Sequence, residues 1–345
     1  MSKRFEVHSH TMYSNLRLLD CINRPKDLIK RAIELGLAGI AITDHEALCG
    51  HPEINFYAQE LKEEHPDFKV VLGNEIYLTE TRNSGQRYYH FILHAKNFEG
   101  HRALRELSSR AWMNSYWDRG LERVPTLKSD IEEILTKYPH TLIGTSACLG
   151  GELSVNTLNL IECEKTGDIE GAAAAHNNIV NFMLWCKQWF GDDFYIECAP
   201  GKSREQILVN KRLTSIAQAF GMKMVIGSDA HYLKKEDRYV HKAYLNSKFG
   251  EREVDEFYEF AYLQTNDEIK ENLYASDFTE EFIEEMFNNS YEIYEKIENY
   301  SLAHKQTIPQ VEVEDYPKTV WTSEQTKEFP ILASMYNSDD KIERY

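Results

Sequence analysis

His8-Ser9-His10 near the start of the chain and Ser228-Asp229-Ala230-His231 far downstream each place two metal-binding side chains two residues apart. In an extended strand residues i and i+2 point to the same side, so each pair can converge on one ion or on two neighbouring ions. A pair contributed from each end of a long chain implies a closed site. Between them lie further residues of the same chemical type, each next to a short apolar run: Asp44 and His45, Glu75, His90 and Cys148, with Asp20 in the segment after the first run. Any one of them alone has an ordinary explanation. A lone histidine is usually a hydrogen-bonded or surface residue, a lone cysteine fills apolar space, and Asp44 could cap a helix. Their recurrence at successive run ends is what such explanations do not cover.

The donor mixture constrains the ions. Imidazoles, one thiolate and several carboxylates are too rich in nitrogen for magnesium and suit zinc, iron or manganese. The set His8, His10, Asp20, His45, Glu75, His90, Cys148, Asp229 and His231 exceeds the four or five donors that one ion takes, so two or three divalent cations sharing bridging carboxylates are expected. Such centres acidify water and clamp a transferring phosphoryl group, which puts phosphate-ester hydrolysis by a metal-bound hydroxide first among reaction types. Asp44, adjacent to His45, is expected to orient an imidazole from behind.

The elements that must carry these residues are legible in outline. Seven apolar runs, at residues 5–8, 38–43, 68–77, 88–95, 141–146, 194–198 and 223–227, alternate with helical patterns, as parallel strands joined by crossover helices do. A barrel is expected, with its site at the carboxyl ends of the strands. Helices are expected over residues 27–35, 52–62, 99–117, 169–189 and 205–220, the first opened by Pro25 and closed by Gly36. Thr81-Arg82-Asn83-Ser84-Gly85 reads as a turn, so the third and fourth runs form a hairpin in an alternative reading.

The 345 residues are 42% hydrophobic and 28% charged, with a formal net charge of −17. The acidity is uneven: residues 251–345 hold 8 Lys and Arg against 24 Asp and Glu, leaving 31 against 32 for residues 1–250. A nearly neutral first part is compatible with a phosphate-bearing substrate. The acidic stretch shows helical patterns at residues 266–274 and 280–300, then a proline-punctuated extended segment. Two domains are therefore expected, 1–250 and 251–345. No run of about 18 apolar residues and no signal-peptide pattern occurs, so a cytoplasmic protein without membrane contact is expected. The six cysteines form no CxxC pair and read as reduced thiols.

The combination His8-x-His10, Thr43-Asp44-His45, Gly73-Asn74-Glu75, Tyr89-His90-Phe91, Ser146-Ala147-Cys148-Leu149-Gly150 and Ser228-Asp229-Ala230-His231 resembles the polymerase and histidinol phosphatase (PHP) family. It is most similar to the PHP domain that opens the alpha subunit of bacterial DNA polymerase III, over roughly residues 4–250. The resemblance implies a distorted seven-stranded α/β barrel of TIM-like type, three metals held by the nine donors above, and an acidic, mostly helical extension like the start of the polymerase thumb and palm region. Two departures stand out: Cys21 replaces the glycine that usually follows the loop aspartate, which weakens Asp20 as a ligand, and His94 occupies an ordinarily apolar position, where it reads as structural. No palm with paired catalytic aspartates is present, so polymerisation by this chain alone is not expected; a standalone, split or truncated form, of phage type, is.

The leading expectation is a 3′→5′ exonuclease of proofreading type acting on DNA 3′ ends, with Arg17, Arg82, Arg87, Lys202 and Arg204 as backbone contacts. The alternatives are a small-molecule phosphomonoesterase of histidinol-phosphatase type and a non-catalytic module that docks to a DNA polymerase or another replication protein.

Overall fold

The structure is a computed structural model and describes residues 3–16, 19–83, 85, 87–118, 120–247, 256–306 and 321–340. The expected strands appear as β1 (Phe5–Glu6), β2 (Gly39–Ile42), β3 (Lys69–Thr79), β4 (Tyr89–Ala95), β8 (Leu142–Thr145), β9 (Phe194–Cys198) and β10 (Met224–Ile226), with β5 (Tyr116–Asp118), β6 (Leu121–Arg123) and β7 (Pro125–Leu127) added between β4 and β8. The sheet runs β1-β2-β3-β4-β8-β9-β10, and β7 pairs with β3. Ser9 bridges Ala230, and His10 N donates to Ala230 O at 3.0 Å, so the two ends of the sheet meet and the barrel closes beside the residues of the opening motif.

β5 and β6 form a separate antiparallel hairpin; within the barrel sheet all ladders among the described residues are parallel except the two that β4 makes, with β3 and with β8. The hairpin reading is the one observed, and it matters. An inverted strand begins at the rim where its neighbours end, so His90, at the start of β4, lies opposite Tyr77 late in β3, level with the site.

The helices follow their capping signals. In α1 (Pro25–Glu34), Pro25 occupies the first turn and Gly36, at φ +69°, ends the helix, a left-handed conformation that glycine adopts without penalty. α2 (His51–Leu61), α6 (Ile169–Phe190) and α7 (Arg204–Phe220) match the expected spans to within a few residues; Asp168 and Ser203 cap the last two. α3 (Phe98–Met113) is shorter than expected. The chain leaves the helix at Asn114, and the β-favouring Tyr116 and Trp117 pair into the β5–β6 hairpin. Three helices of the first 250 residues were not anticipated, α4 (Lys128–Lys137), α5 (Glu152–Thr166) and α8 (Arg238–Asn246).

The barrel interior is filled, not open. Phe5, Val7, Ala41, Val71, Ile143, Tyr195 and Val225 form its core, sealed by Ile293 and Ile297. Ile293 belongs to α10 (Glu280–Lys296; α8 is Arg238–Asn246 and α9 is Asn266–Leu273), which lies across the amino-terminal ends of the strands. Asn289 Nδ2 donates to Met224 O at 2.9 Å, Phe5 N to Ser290 Oγ at 3.2 Å, and Lys69 Nζ to the carbonyls of Tyr294 and Ile297 at 2.7 and 2.6 Å. The chain accordingly forms two compact units, Met1–Leu302 and Ala303–Tyr345. The expected boundary at 250 falls inside the first, because the apolar face of α10 plugs the barrel instead of belonging to a separate extension. In the second unit the described residues include helices α11 (Ser323–Glu328) and α12 (Pro330–Asn337) where an extended segment was expected.

His94 is fully buried on β4 with both ring nitrogens lacking a hydrogen bond. Its neighbours Leu93 and Ala95 pack outward, so the imidazole faces the interior. Burial, then the charge of His8, lower its pKa to about 3. Because the folded value lies below the unfolded value near 6.5, the neutral ring's contribution is complete above pH 6.5 and is lost as pH falls towards 3. At pH 5 the loss is about 2 kcal/mol. His94→Leu removes it: between pH 7 and pH 5 the variant should lose about 2 kcal/mol less stability than the parent in guanidinium unfolding, and equal losses would show that the ring is not held neutral.

Candidate metal centre

The nine expected donors come together at the carboxyl ends of the strands. Three groups have donor atoms mutually close enough for one ion each: His10, His45 and His231; His8, His10, Glu75 and Asp229; and Glu75, His90 and Cys148. His10 and Glu75 are each shared by two groups. Asp20 joins the first, its Oδ2 lying 3.1 Å from both His45 Nε2 and His231 Nε2.

The polar atoms present fit cations. His8 and His10 bring their Nε2 atoms within 3.0 Å of each other, and both face Glu75 Oε2, at 2.9 and 3.0 Å, and Asp229 Oδ1, at 3.2 and 3.1 Å. The outer nitrogens are already engaged: His8 Nδ1 pairs with Glu197 Oε1 at 2.6 Å and His10 Nδ1 with Ser14 Oγ at 3.1 Å. If those nitrogens carry the ring protons, the inner nitrogens present lone pairs to carboxylates, and a proton or a metal ion must lie between them. Asp229 Oδ1, Glu75 Oε1 and His45 Nδ1 are buried without a hydrogen bond of good geometry and face other donor-type atoms of the cluster instead, as atoms suited to share a cation would.

The titration of the cluster points the same way. Burial opposes charge on His10, yet hydrogen bonds to Asp229 and Glu75 outweigh it and raise its pKa to about 9. Burial likewise opposes ionisation of Glu75, but His90, His45 and His8 hold it well below the usual carboxylate range. His45 is lowered to about 4, chiefly by burial. The Cys148 thiol is pushed well up, first by burial and then by Asp229 and Glu75, so a thiolate there needs a cation beside it. A ring proton held between His10 and these carboxylates is one that metal binding there would release.

Backbone geometry sets these side chains with some strain. Glu46, Ala147 and Asp229 have φ of 51°, 58° and 45°. They follow His45, precede Cys148 and are themselves a donor, which places strained backbone at the site. A Cβ on Gly150 would meet the His90 ring at 2.9 Å, so a glycine is required where the Cys148 loop passes over that imidazole.

Asp44 acts otherwise than its sequence position suggests. Its carboxylate accepts from Thr11 N at 2.6 Å, Thr11 Oγ1 at 2.8 Å and Ser14 Oγ at 2.7 Å, so it braces His10 through Ser14 and not its neighbour His45. Sequence reasoning missed Glu197. Its Oε1 holds His8, its Oε2 accepts from Thr145 Oγ1 at 2.7 Å, and Gly227 leaves the space, since a Cβ there would meet Glu197 Oε1 at 2.3 Å. The available signal was a carboxylate inside the apolar run 194–198. Glu6 was missed for the same reason: paired with buried Arg4 at 2.8 Å, it accepts from Ser228 N and Oγ at 2.8 and 2.6 Å and ties the two opening motifs together. Tyr258 OH donates to Asp20 Oδ1 at 2.6 Å, and His241 Nε2 to Asp20 O at 2.7 Å, from segments beyond the last strand.

Of the expected substrate contacts, Arg17 lies outside the described residues. Arg82 is drawn to Asp130 at 2.6 Å, Lys202 forms a surface pair with Glu271 at 3.1 Å, and Arg87 and Arg204 are exposed.

A closed barrel with one inverted strand and a buried imidazole–carboxylate cluster at its carboxyl rim defines an α/β barrel whose rim gathers donors suited to divalent metal ions. Residues 6–200 match the PHP domain, and the chain belongs to that family. It is 39% identical over 350 residues to the probable DNA polymerase YorL of Bacillus subtilis and to the DNA-directed DNA polymerase of Bacillus phage SPbeta, a match covering 98% of this chain and 27% of each relative. It is 31% identical over 262 residues to the DNA polymerase III alpha subunit of Borreliella burgdorferi, covering 74% of this chain and 20% of that one. The chain thus spans about a quarter of the length of these relatives. A solved putative metal-dependent phosphoesterase from Bifidobacterium adolescentis aligns with 80% of this chain and 97% of its own at a TM-score of 0.39 and 16% identity. Among the described residues no helix is long and apolar enough to cross a membrane.

Replacing Glu197 with Gln keeps its shape and removes the charge behind His8. Affinity for zinc or manganese should fall roughly 10- to 100-fold in calorimetric titration of the metal-stripped protein; unchanged affinity would show that Glu197 does not position the imidazole.

Proposed function

We propose that this chain is a divalent-metal-dependent phosphodiesterase that removes nucleotides from DNA 3′ ends. The observation that carries the reading is the overlap of three donor groups through His10 and Glu75 in one cluster. That arrangement suits two or three zinc, manganese or iron ions held by His8, His10, Asp20, His45, Glu75, His90, Cys148, Asp229 and His231. Bound there, the ions would acidify water and neutralise charge on a transferring phosphoryl group.

The chain's own residues hold the donors and admit the ester. Glu197 and the Asp44–Ser14 pair keep His8 and His10 turned inward. Tyr258 and His241 fix Asp20. His90 is partly exposed and stands at the entrance, so the scissile phosphate approaches from its side. Arg87 and Arg204 are available for the backbone beyond it.

DNA is favoured over a small phosphomonoester because the matched relatives are DNA polymerases. A cytoplasmic setting alongside a DNA polymerase or another replication protein, phage-encoded as the SPbeta relative is, belongs to the same reading.

End-labelled single-stranded and mismatched primer DNA tests it. The protein reconstituted with manganese or zinc should shorten the labelled strand from its 3′ end, and chelation or His10→Ala should reduce the rate by about 10²-fold or more. Degradation that survives chelation, or turnover confined to phosphomonoesters, would overturn the reading.

A further inference from the structure

The metal cluster opens on one side only. The side chains of His8, His10 and Glu75 are 0% exposed and those of Asp20, His45, Asp229 and His231 3–6%, whereas His90 is 26% exposed. His90 is the second residue of β4, so the segment leading into it, Arg87-Tyr88-Tyr89, borders the entrance. The β5–β6 hairpin packs on this segment: the hydroxyls of Tyr88 and Tyr116 are in contact, and Tyr116 OH donates to Asn83 O at 3.0 Å.

The charge here runs against the rest of the chain. The segments that flank the entrance, residues 82–90 and 114–128, hold five Lys and Arg against two Asp and Glu, in a protein of net charge −17. Several of these cations are consumed locally, Arg82 by Asp130 and Lys128 by Glu80 and Glu152. Arg87 and Arg123 are not: among the described residues neither faces a carboxylate, and each lies over a ring, Arg87 at 5.8 Å from the Tyr89 centroid and Arg123 at 5.5 Å from that of Tyr88. On the same hairpin Trp117 is 73% exposed, a large aromatic surface that no packing in the fold employs.

Unneutralised guanidinium groups beside one exposed indole and half-buried tyrosine rings, at the entrance to a phosphate-ester site, match one ligand chemistry. Guanidinium groups attract a phosphate backbone and rings stack on bases. In a duplex the base faces are covered by their neighbours, so the rings can be used only by unpaired nucleotides. We infer that the β5–β6 hairpin and the Arg87–Tyr89 segment form a landing platform for a single DNA strand, leading its terminal phosphodiester to the His90 side of the cluster. The inference rests on the phosphodiesterase reading above and adds to it the strandedness of the substrate and the surface that selects it.

The test separates the two. Binding of a fluorescent oligothymidylate of about twenty nucleotides with hydrolysis-resistant phosphorothioate linkages is followed by anisotropy in the metal-loaded protein, and the parent is assayed separately with bis(p-nitrophenyl) phosphate. Trp117→Ala, Arg87→Ala and Arg123→Ala should each weaken binding about tenfold, Trp117→Phe much less, and each arginine variant should lower the slope of log affinity against log salt by about 0.7. Thermal unfolding and metal content are measured on every variant, and the Phe variant keeps the test decisive if an Ala variant fails to fold. Parent-like binding by the Ala variants, or blunt duplex bound as tightly as single strand, overturns the platform. A parent that binds the oligonucleotide through these residues but hydrolyses neither its unmodified phosphodiester counterpart nor the small diester removes the phosphodiesterase reading alone.

Discussion

Carboxylates buried at one end of the barrel include those of Glu6, Asp20, Asp44, Glu75, Glu197 and Asp229, and the compensation of these six is the constraint around which the rest is arranged. An ion removed from water costs several kcal/mol unless partners replace its hydration. Three are satisfied by neighbours in the chain: Glu6 by Arg4 and Ser228, Asp44 by Thr11 and Ser14, Glu197 by His8 and Thr145. Asp20, Glu75 and Asp229 instead face imidazoles above all, several of which have one nitrogen already committed outward. This inner set is left needing positive charge, supplied by protons on the rings or by metal ions. The outer set holds the rings so that only their inner nitrogens can supply or receive it.

Topology makes that arrangement possible. Parallel strands deliver their carboxyl ends to one rim, which accounts for His8, His10, His45, Cys148, Asp229 and His231. A donor at the start of a strand would fall at the opposite end of an all-parallel barrel. The inversion of β4 returns His90 to the rim, facing Glu75 across the β3–β4 ladder. The opposite end is closed by α10, whose apolar residues complete the core, so the unit that carries the site needs residues well past the last strand.

The donors were legible because metal ligation imposes residue type and spacing together, and both survive in one dimension. The strands were legible as apolar runs, and the antiparallel pair as a turn signal at residues 81–85. What stayed hidden depends on three-dimensional proximity. Glu197 sits in a strand where a carboxylate looks like an interruption; only the fold shows it 2.6 Å from a histidine 189 residues away. Asp44 was readable as a bracing residue but not as bracing His10, because the link runs through Ser14. α10 carries acidic residues in a helical pattern, and composition alone grouped it with an extension; its buried face, Ile283, Met286, Phe287 and Ile293, is what assigns it to the barrel.

The same geometry resolves the apparent conflict between a net charge of −17 and a phosphate-bearing substrate. The acidic residues of α10 lie at the amino-terminal end of the strands, where Glu292 meets Lys223 and Lys296. A strand of five residues such as β9 spans about 16 Å, at roughly 3.3 Å per residue, and the screening length at physiological salt is about 8 Å. Charge at one end of the barrel is therefore weakly felt at the other. At the carboxyl rim the local balance decides, and there the buried donor carboxylates lie near Arg87 and Arg123, neither of which faces a carboxylate among the described residues. An anion approaching that rim would be governed by the local charge and not by the sum over the chain.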